Sequence, residues 1–213
     1  MAKLSMREKV LDVGSGEGLV AAEMASRTGR PVYALDLAPG SPPPPSVRTV
    51  AGDARALPFP EGSLDAVAFH FLLLWLPDPL AALREARRVL KPQGVAMILA
   101  EPDLSARVDE PDTGMGRAIA GAVLFSGGHL DVGAWLEEGL RRAGFRPTIR
   151  AAAHEWTPIT DPAEAEHEVA FLRDQGRLSS KEALSMAAAE RAAILSGLRR
   201  VRLPIYYGMG LKG

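Results

Sequence analysis

The stretch Val10-Leu11-Asp12-Val13-Gly14-Ser15-Gly16-Glu17-Gly18 decides the fold. A short apolar run passes straight into three alternating glycines, and Leu19 to Ser26 then has helical spacing with Gly29 as its stop. A strand, a glycine loop and a helix in that order let the backbone bend sharply and approach a ligand more closely than any Cβ allows. Two readings share this pattern: a plain tight turn, and a ligand loop of the kind that also binds dinucleotides.

Working outward, the alternation continues. Val32 to Leu35 and Val47 to Ala51 are short strands, and Leu64 to Phe69 is apolar enough to be buried on both faces. Asp78-Pro79 is a cap followed by proline at the first helical position. Leu80, Leu83, Ala86 and Leu90 mark the buried stripe of the helix it opens. Pro92 and Gly94 end that helix before a fifth strand, Val95 to Ala100. Strands alternating with helices call for an α/β fold, a doubly wound and mainly parallel sheet covered on both faces.

Beyond the fifth strand the pattern loosens. Gly116 to Phe125 reads as a short helix, and Asp131 caps a clearer one with Val132, Trp135, Leu136 and Leu140 on one face and Gly144 at its end. Ile149 to Ala153 is a sixth strand. Asp161-Pro162 and the Ser179/Glu182 capping box each open a further helix, and Leu203 to Met209 is a closing strand. There is no internal repeat, and Pro42 to Pro45 reads as a stiff polyproline loop. Residues 1–213 are read as one domain, with 104–130 and 161–200 as insertions.

Bulk properties narrow the function classes. A net charge of −1 over 213 residues gives no overall field toward nucleic acid or an anionic membrane. Arg199, Arg200 and Arg202 read as a solvated helix end. With no cysteine there is no disulfide, thiolate metal site or cysteine nucleophile. His70, His129, His154 and His167 show no ligand-like pairing, so no metal is expected.

The longest apolar stretch, Ala66 to Leu76, is interrupted by His70 and falls short of the roughly 20 residues a bilayer demands. Met1 to Lys9 has no apolar signal-peptide core. These features describe a soluble, cytoplasmic protein with a small-molecule partner, and they are compatible with a homo-oligomer. Asparagine is absent, and arginine far outnumbers lysine. That bias suits a thermophile and a GC-rich genome alike.

Glycine spacing separates the ligand classes. The dinucleotide fingerprint G-x-G-x-x-G/A wants a small residue where Leu19 stands, and Glu17 would set a carboxylate against a pyrophosphate at the helix N-terminus. A phosphate-free ligand with a cationic centre fits better. Asp36 ends the second strand, where a carboxylate can accept from both hydroxyls of a ribose; alone, it is also a turn former before Ala38-Pro39. Asp53, in Gly52-Asp53-Ala54, is either a loop aspartate or an acceptor for an adenine amino group.

Together these motifs resemble the class I S-adenosylmethionine-dependent methyltransferases, in the small-molecule branch that includes ubiquinone- and menaquinone-biosynthesis-type enzymes. Val10 to Gly18 is similar to their first motif, Asp36 to the acidic residue after strand two, and Gly52-Asp53-Ala54 to their adenine-side motif. Leu64 to Pro79 and Leu83 to Gly94 look like strand four, the next helix and the turn into strand five. The resemblance covers residues 9–103 well and 130–157 loosely.

It implies a Rossmann-like sheet of seven strands with the last antiparallel, S-adenosyl-L-methionine as cofactor and S-adenosyl-L-homocysteine as product. It also implies roles. Gly14, Ser15, Gly16 and Gly18 line the methionine part, and Asp12 orients its amino group. Asp36 holds the ribose with Leu37 against the adenine, and Asp53 and Ala54 read the adenine edge. Phe69 and His70 face the methionine moiety and the methyl acceptor.

The chain also departs from that family. Fewer than ten residues precede the first motif, Gly40 to Ser46 replaces the usual helix between strands two and three, and Leu74-Trp75 stands where a pair of histidines is common. Methyl transfer from a sulfonium is an in-line displacement whose thioether leaves without acid assistance. Alignment and exclusion of water are therefore the protein's main contribution.

A base is needed only when the acceptor must lose a proton. His70 is the candidate for it, with an ordinary pocket-wall residue as the other reading. Phe69-His70-Phe71-Leu72 is unlike Asn-Pro-Pro-Tyr, which argues against methylation of an adenine amino group or a glutamine amide. Phe71 to Leu76 is apolar enough for either an acceptor pocket or core.

The expected function is transfer of a methyl group to a small-molecule acceptor. The alternatives are a non-catalytic binder of S-adenosylmethionine or S-adenosylhomocysteine, and a nicotinamide-dependent oxidoreductase. Residues 104–130, with Ile119, Val123, Leu124 and Phe125, and 161–200, with Val169, Phe171, Leu172, Leu184 and Met186, are the candidates for a cap over the acceptor pocket.

Overall fold

The computed structural model describes residues 7–39, 45–152 and 156–213. Strand β1 (Val10–Val13) is buried throughout, and α1 (Leu19–Thr28) follows the glycine loop and stops at Gly29, whose φ of 66° only glycine adopts cheaply. Next come β2 (Val32–Asp36), β3 (Val47–Ala51) and β4 (Leu64–His70). Helix α2 (Pro79–Val89) is capped by Asp78, which accepts the Ala81 amide at 2.9 Å. It leads into β5 (Leu90–Pro102).

The remaining elements are β6 (Val108–Glu110), α3 (Met115–Phe125), α4 (Val132–Arg142), β7 (Phe145–Ala151), β8 (Thr157–Pro158), α5 (Pro162–Asp174), α6 (Ser180–Leu195), β9 (Arg200–Arg202) and β10 (Ile205–Lys212).

Seven strands form one sheet in the order β3-β2-β1-β4-β5-β10-β7. The first five are parallel, and β10 slots antiparallel between β5 and β7. Alternation along the strands fills both faces. Leu11, Val13, Val67, Phe69, Ala96 and Ile98 pack toward α2 and α4. Val10, Val32, Ala34, Ala66, Ala68 and Met97 pack toward Ala21, Met24 and Ala25 of α1. Largely apolar strands, interrupted in β1 by the buried Asp12, follow from this two-sided burial.

Several boundaries differ from the sequence reading. Leu90 is buried, as its spacing suggests, but as the first residue of β5 paired with Leu64 rather than as part of α2. Between that pair and Val95–Ala66 the chain bulges, and Gln93 takes a φ of 62°. The sixth strand of the main sheet begins at Phe145, and its expected end at residue 153 lies outside the described residues. The closing strand is Ile205–Lys212. Asp131 stands at the start of α4, yet its side chain makes no capping hydrogen bond. Pro42 to Pro44 and most of Gly40 to Ser46 also lie outside the described residues.

Helices from residues 104–130 and 161–200 build a second layer. Helices α3, α5 and α6 share a separate apolar cluster of Met115, Ala122, Val169, Leu172 and Ala183. Asp161 caps α5, and both halves of the Ser179–Glu182 capping box are present on α6. A three-stranded sheet, β6-β9-β8, borders this layer. Two- and three-residue strands carry no readable periodicity, so the sequence does not announce them.

Arg199 is not the solvated helix end expected. It is 3% exposed, with Nε donating to Glu190 at 2.8 Å and Nη2 donating to Asp109 at 2.5 Å. Among the described residues, no helix is long and apolar enough to cross a membrane.

Candidate active site

The glycine loop is fastened to β2 by its own backbone. The amides of Gly14 and Ser15 both donate to the Leu35 carbonyl, at 2.7 and 3.0 Å. The Gly16 amide donates to Oδ2 of Asp36 at 2.9 Å, and the Ala38 amide donates to Oδ1 at 3.0 Å. Gly14, Gly16 and Gly18 have φ of 70°, 51° and 78°, the left-handed region that disfavours side chains.

Two of these glycines differ in what surrounds them. A Cβ on Gly14 would come within 2.5 Å of the Leu72 side chain, whereas one on Gly16 would meet nothing within 4 Å. Gly14 is therefore small for packing, while the space over Gly16 is open to a ligand.

Below the loop, Asp12 is 1% exposed and its Oδ2 has no hydrogen-bond partner. Burial pushes its carboxyl up to about 7; the nearby Asp36 charge adds to this and the Ala21 amide opposes it. A buried carboxylate oxygen left unpaired is costly, and a cationic donor would relieve it.

Glu101, at the end of β5, is also fully buried. Its Oε1 accepts the amides of Leu72 and Leu73 at 2.9 and 3.0 Å, and its Oε2 is unpaired. Burial pushes it up to about 7 against those amide bonds. Glu101 thereby pins the segment after β4, where Phe71 takes a φ of 51°.

Gly14, Asp36 and Leu37 line a cavity of about 610 Å³ whose opposite wall includes Phe125, Gln175 and Arg177. The Arg177 guanidinium lies 3.4 Å from the centre of the Phe125 ring. Phe71, Trp75 and Phe171 line this cavity and also an adjoining one of about 370 Å³, where His167 and Glu168 stand. Trp75 and Phe171 meet edge to face at 5.5 Å.

The other sequence candidates are placed differently. Both carboxylate oxygens of Asp53 are bound by Arg55, whose hydrogen bond holds the Asp53 carboxyl below its usual range. Ala54 is buried beside it. Phe69 is fully buried in the core, on the face packed by α2 and α4.

His70 follows Ala66 and Ala68 onto the opposite face of β4 and lines a hollow with Met24, Met97 and Leu99. Burial lowers its pKa. Neither Phe69 nor His70 lines the cavities beneath α3 and α5, because the two-residue period of β4 aims them elsewhere. The residue that does is Phe71, one position beyond the strand. Sequence reasoning also passed over Glu101 and Glu168. A carboxylate closing an apolar strand was the available signal for the first.

Sheet order, glycine loop and flanking helices define a Rossmann-like methyltransferase fold. Residues 11–98 match the family model described as the methyltransferase domain. A demethylmenaquinone methyltransferase of Renibacterium salmoninarum is 40% identical over 96 residues, which cover 43% of this chain and 40% of that protein. The biotin biosynthesis bifunctional protein BioHC of Cellvibrio japonicus is 38% identical over 98 residues, covering 43% of this chain and 19% of that one. The chain thus spans two fifths or less of the length of these curated relatives.

A crystal structure of a provisionally assigned methyltransferase from Bacillus halodurans C-125 superposes over 99% of this chain and 97% of its own, with a TM-score of 0.64 at 18% identity. Residues 11–98 thus match a methyltransferase domain, and the chain has the class I methyltransferase fold.

Proposed function

We propose that the protein binds S-adenosyl-L-methionine at the glycine loop and transfers its methyl group to a small-molecule acceptor, leaving S-adenosyl-L-homocysteine. The observation that carries this reading is the unpaired, buried Oδ2 of Asp12 beneath a loop that Asp36 closes and whose central glycine faces open space. The residues present suit a ligand with a cationic amino-acid end and a ribose. Each Asp36 oxygen accepts one amide and keeps a lone pair for a ribose hydroxyl. Asp12 and the loop amides serve the amino-acid end. Exposed Leu37 offers an apolar surface to the adenine.

When bound, the sulfonium supplies an activated methyl group and a neutral leaving group. The chain's own work is positioning. The Phe71–Trp75 segment, held by Glu101, and the layer of α3, α5 and α6 enclose the acceptor and exclude water. Well-aligned reactants gain about 7–11 kcal/mol in ideal cases. In this reading residues 104–130 and 161–200 are the cap, the protein works in the cytoplasm, and His70 lies toward the methionine end rather than against the acceptor.

Calorimetric titration with S-adenosylmethionine, S-adenosylhomocysteine and a nicotinamide dinucleotide tests this directly. The first two should bind and the third should not. Heat from the dinucleotide alone would replace the proposal with the oxidoreductase alternative.

A further inference from the structure

The smaller cavity has a charge pattern that its neighbour lacks. Three rings, Phe71, Trp75 and Phe171, form the wall common to both cavities, and Phe71 and Phe171 remain 40% and 43% exposed. Rings left open in a concave space are places for a ligand rather than for core.

Glu168 of α5 opens into the same space, and among the described side chains it has no ion-pair or hydrogen-bond partner. Its charged neighbours are already committed. Arg107, which also lines the cavity, binds both oxygens of Asp109 at 2.9 and 3.0 Å with its side chain 8% exposed. Arg199 binds Glu190 and Asp109 with its side chain 2% exposed. Two arginines thus pair with two acids, and among the described side chains Glu168 has no ion-pair partner of its own. Enclosure by protein raises its carboxyl; Arg107 and Arg199 pull it down, while Glu190 and Asp109 push it up.

We infer that this cavity takes a cationic amine, held between the aromatic faces and the Glu168 carboxylate, as the methyl acceptor. Aromatic faces attract ammonium groups through their quadrupole, and a neighbouring carboxylate reinforces that attraction. The chemistry suits the placement. The bound ammonium first gives one N–H proton to solvent, which frees the nitrogen lone pair. As that pair forms the C–N bond, the methyl–sulfur bond breaks with its electron pair left on sulfur, and positive charge returns to the nitrogen on the Glu168 side. The inference rests on the methyl-transfer reading above.

The test uses three probes of similar shape, titrated into the full chain already saturated with S-adenosylhomocysteine: benzyltrimethylammonium, its neutral isostere neopentylbenzene, and phenylmethanesulfonate. The cation should bind at least tenfold more tightly than the other two. Glu168→Gln should weaken it about tenfold. Glu166→Gln removes the same charge from the outward side of α5, where Glu166 pairs with Arg191, and should change nothing.

Equal binding of cation and isostere, preference for the sulfonate, no binding of any probe, or an unaffected Glu168→Gln variant would each overturn the assignment. Absence of S-adenosylhomocysteine binding at the outset would instead defeat the methyl-transfer reading itself.

Discussion

Oδ2 of Asp36 accepts the Gly16 amide at 2.9 Å, across twenty residues of sequence. One carboxylate thus both ends β2 and fastens the glycine loop. Asp36→Ala should weaken S-adenosylhomocysteine by about 1.5–3 kcal/mol, the range for hydrogen bonds to a charged group. Calorimetry reads this, and unchanged affinity would remove Asp36 from the site.

The two loop glycines should fail differently. Gly14→Ala combines left-handed strain with a clash against Leu72, so it should lower the melting temperature by more than Gly16→Ala. Gly16→Val should still fold, because only the left-handed strain at a φ of 51° opposes it and no atom lies within 4 Å of the added Cβ, yet lose S-adenosylhomocysteine binding. Normal binding by a folded Gly16→Val would show that the ligand does not pass over the loop.

Asp12 ties stability to pH. Its ordinary value is 3.8 and its folded value about 7. Between these the unfolded chain has released a proton that the folded chain keeps, so ligand-free stability falls as pH rises through that window and levels off above it. Asp12→Asn should gain on the order of 2–4 kcal/mol over the parent at pH 8 and almost nothing at pH 3.5. Urea unfolding at the two pH values measures the difference; equal gains at both would refute it. Glu101, raised for the same reason, should add to the slope.

Arg199 is held by Glu190 and Asp109, and the first two of these three are nearly inaccessible. Removing the cation strands the acids, so Arg199→Ala should cost about 3–5 kcal/mol. The loss should appear in denaturant midpoints, and a near-neutral variant would mean that water reaches this cluster.

Helices α5 and α6 bury their apolar residues in a cluster apart from the main core, whereas α3 also sets Val123 into that core, so α5 and α6 can open without disturbing the sheet. Amide exchange at 115–125 and 162–195 should slow on adding S-adenosylhomocysteine, while β1, β4 and β5 stay protected in both states. Equal exchange with and without the ligand would rule out a closing cap.

The order of strands and helices was legible because it is local. Val10 to Gly18, Asp78-Pro79 and the Ser179–Glu182 box each announce a strand end or a helix start through backbone chemistry that a few neighbours determine. The α/β class followed from their alternation, and Asp36 was legible because it must end the strand beside the glycine loop.

What only the tertiary structure decided was direction and company. His70 and Phe69 lie next to Phe71 in sequence, but the pleat of β4 sends His70 toward α1 and Phe69 into the core. The left-handed turn at Phe71 delivers that ring to the cavity instead. Glu101 reaches back to the amides of Leu72 and Leu73, and Arg199 crosses to Asp109, over separations of 28 to 90 residues. Contacts at such range leave no periodicity in the chain. They exist only once burial brings distant segments together and each charge must find a partner out of water.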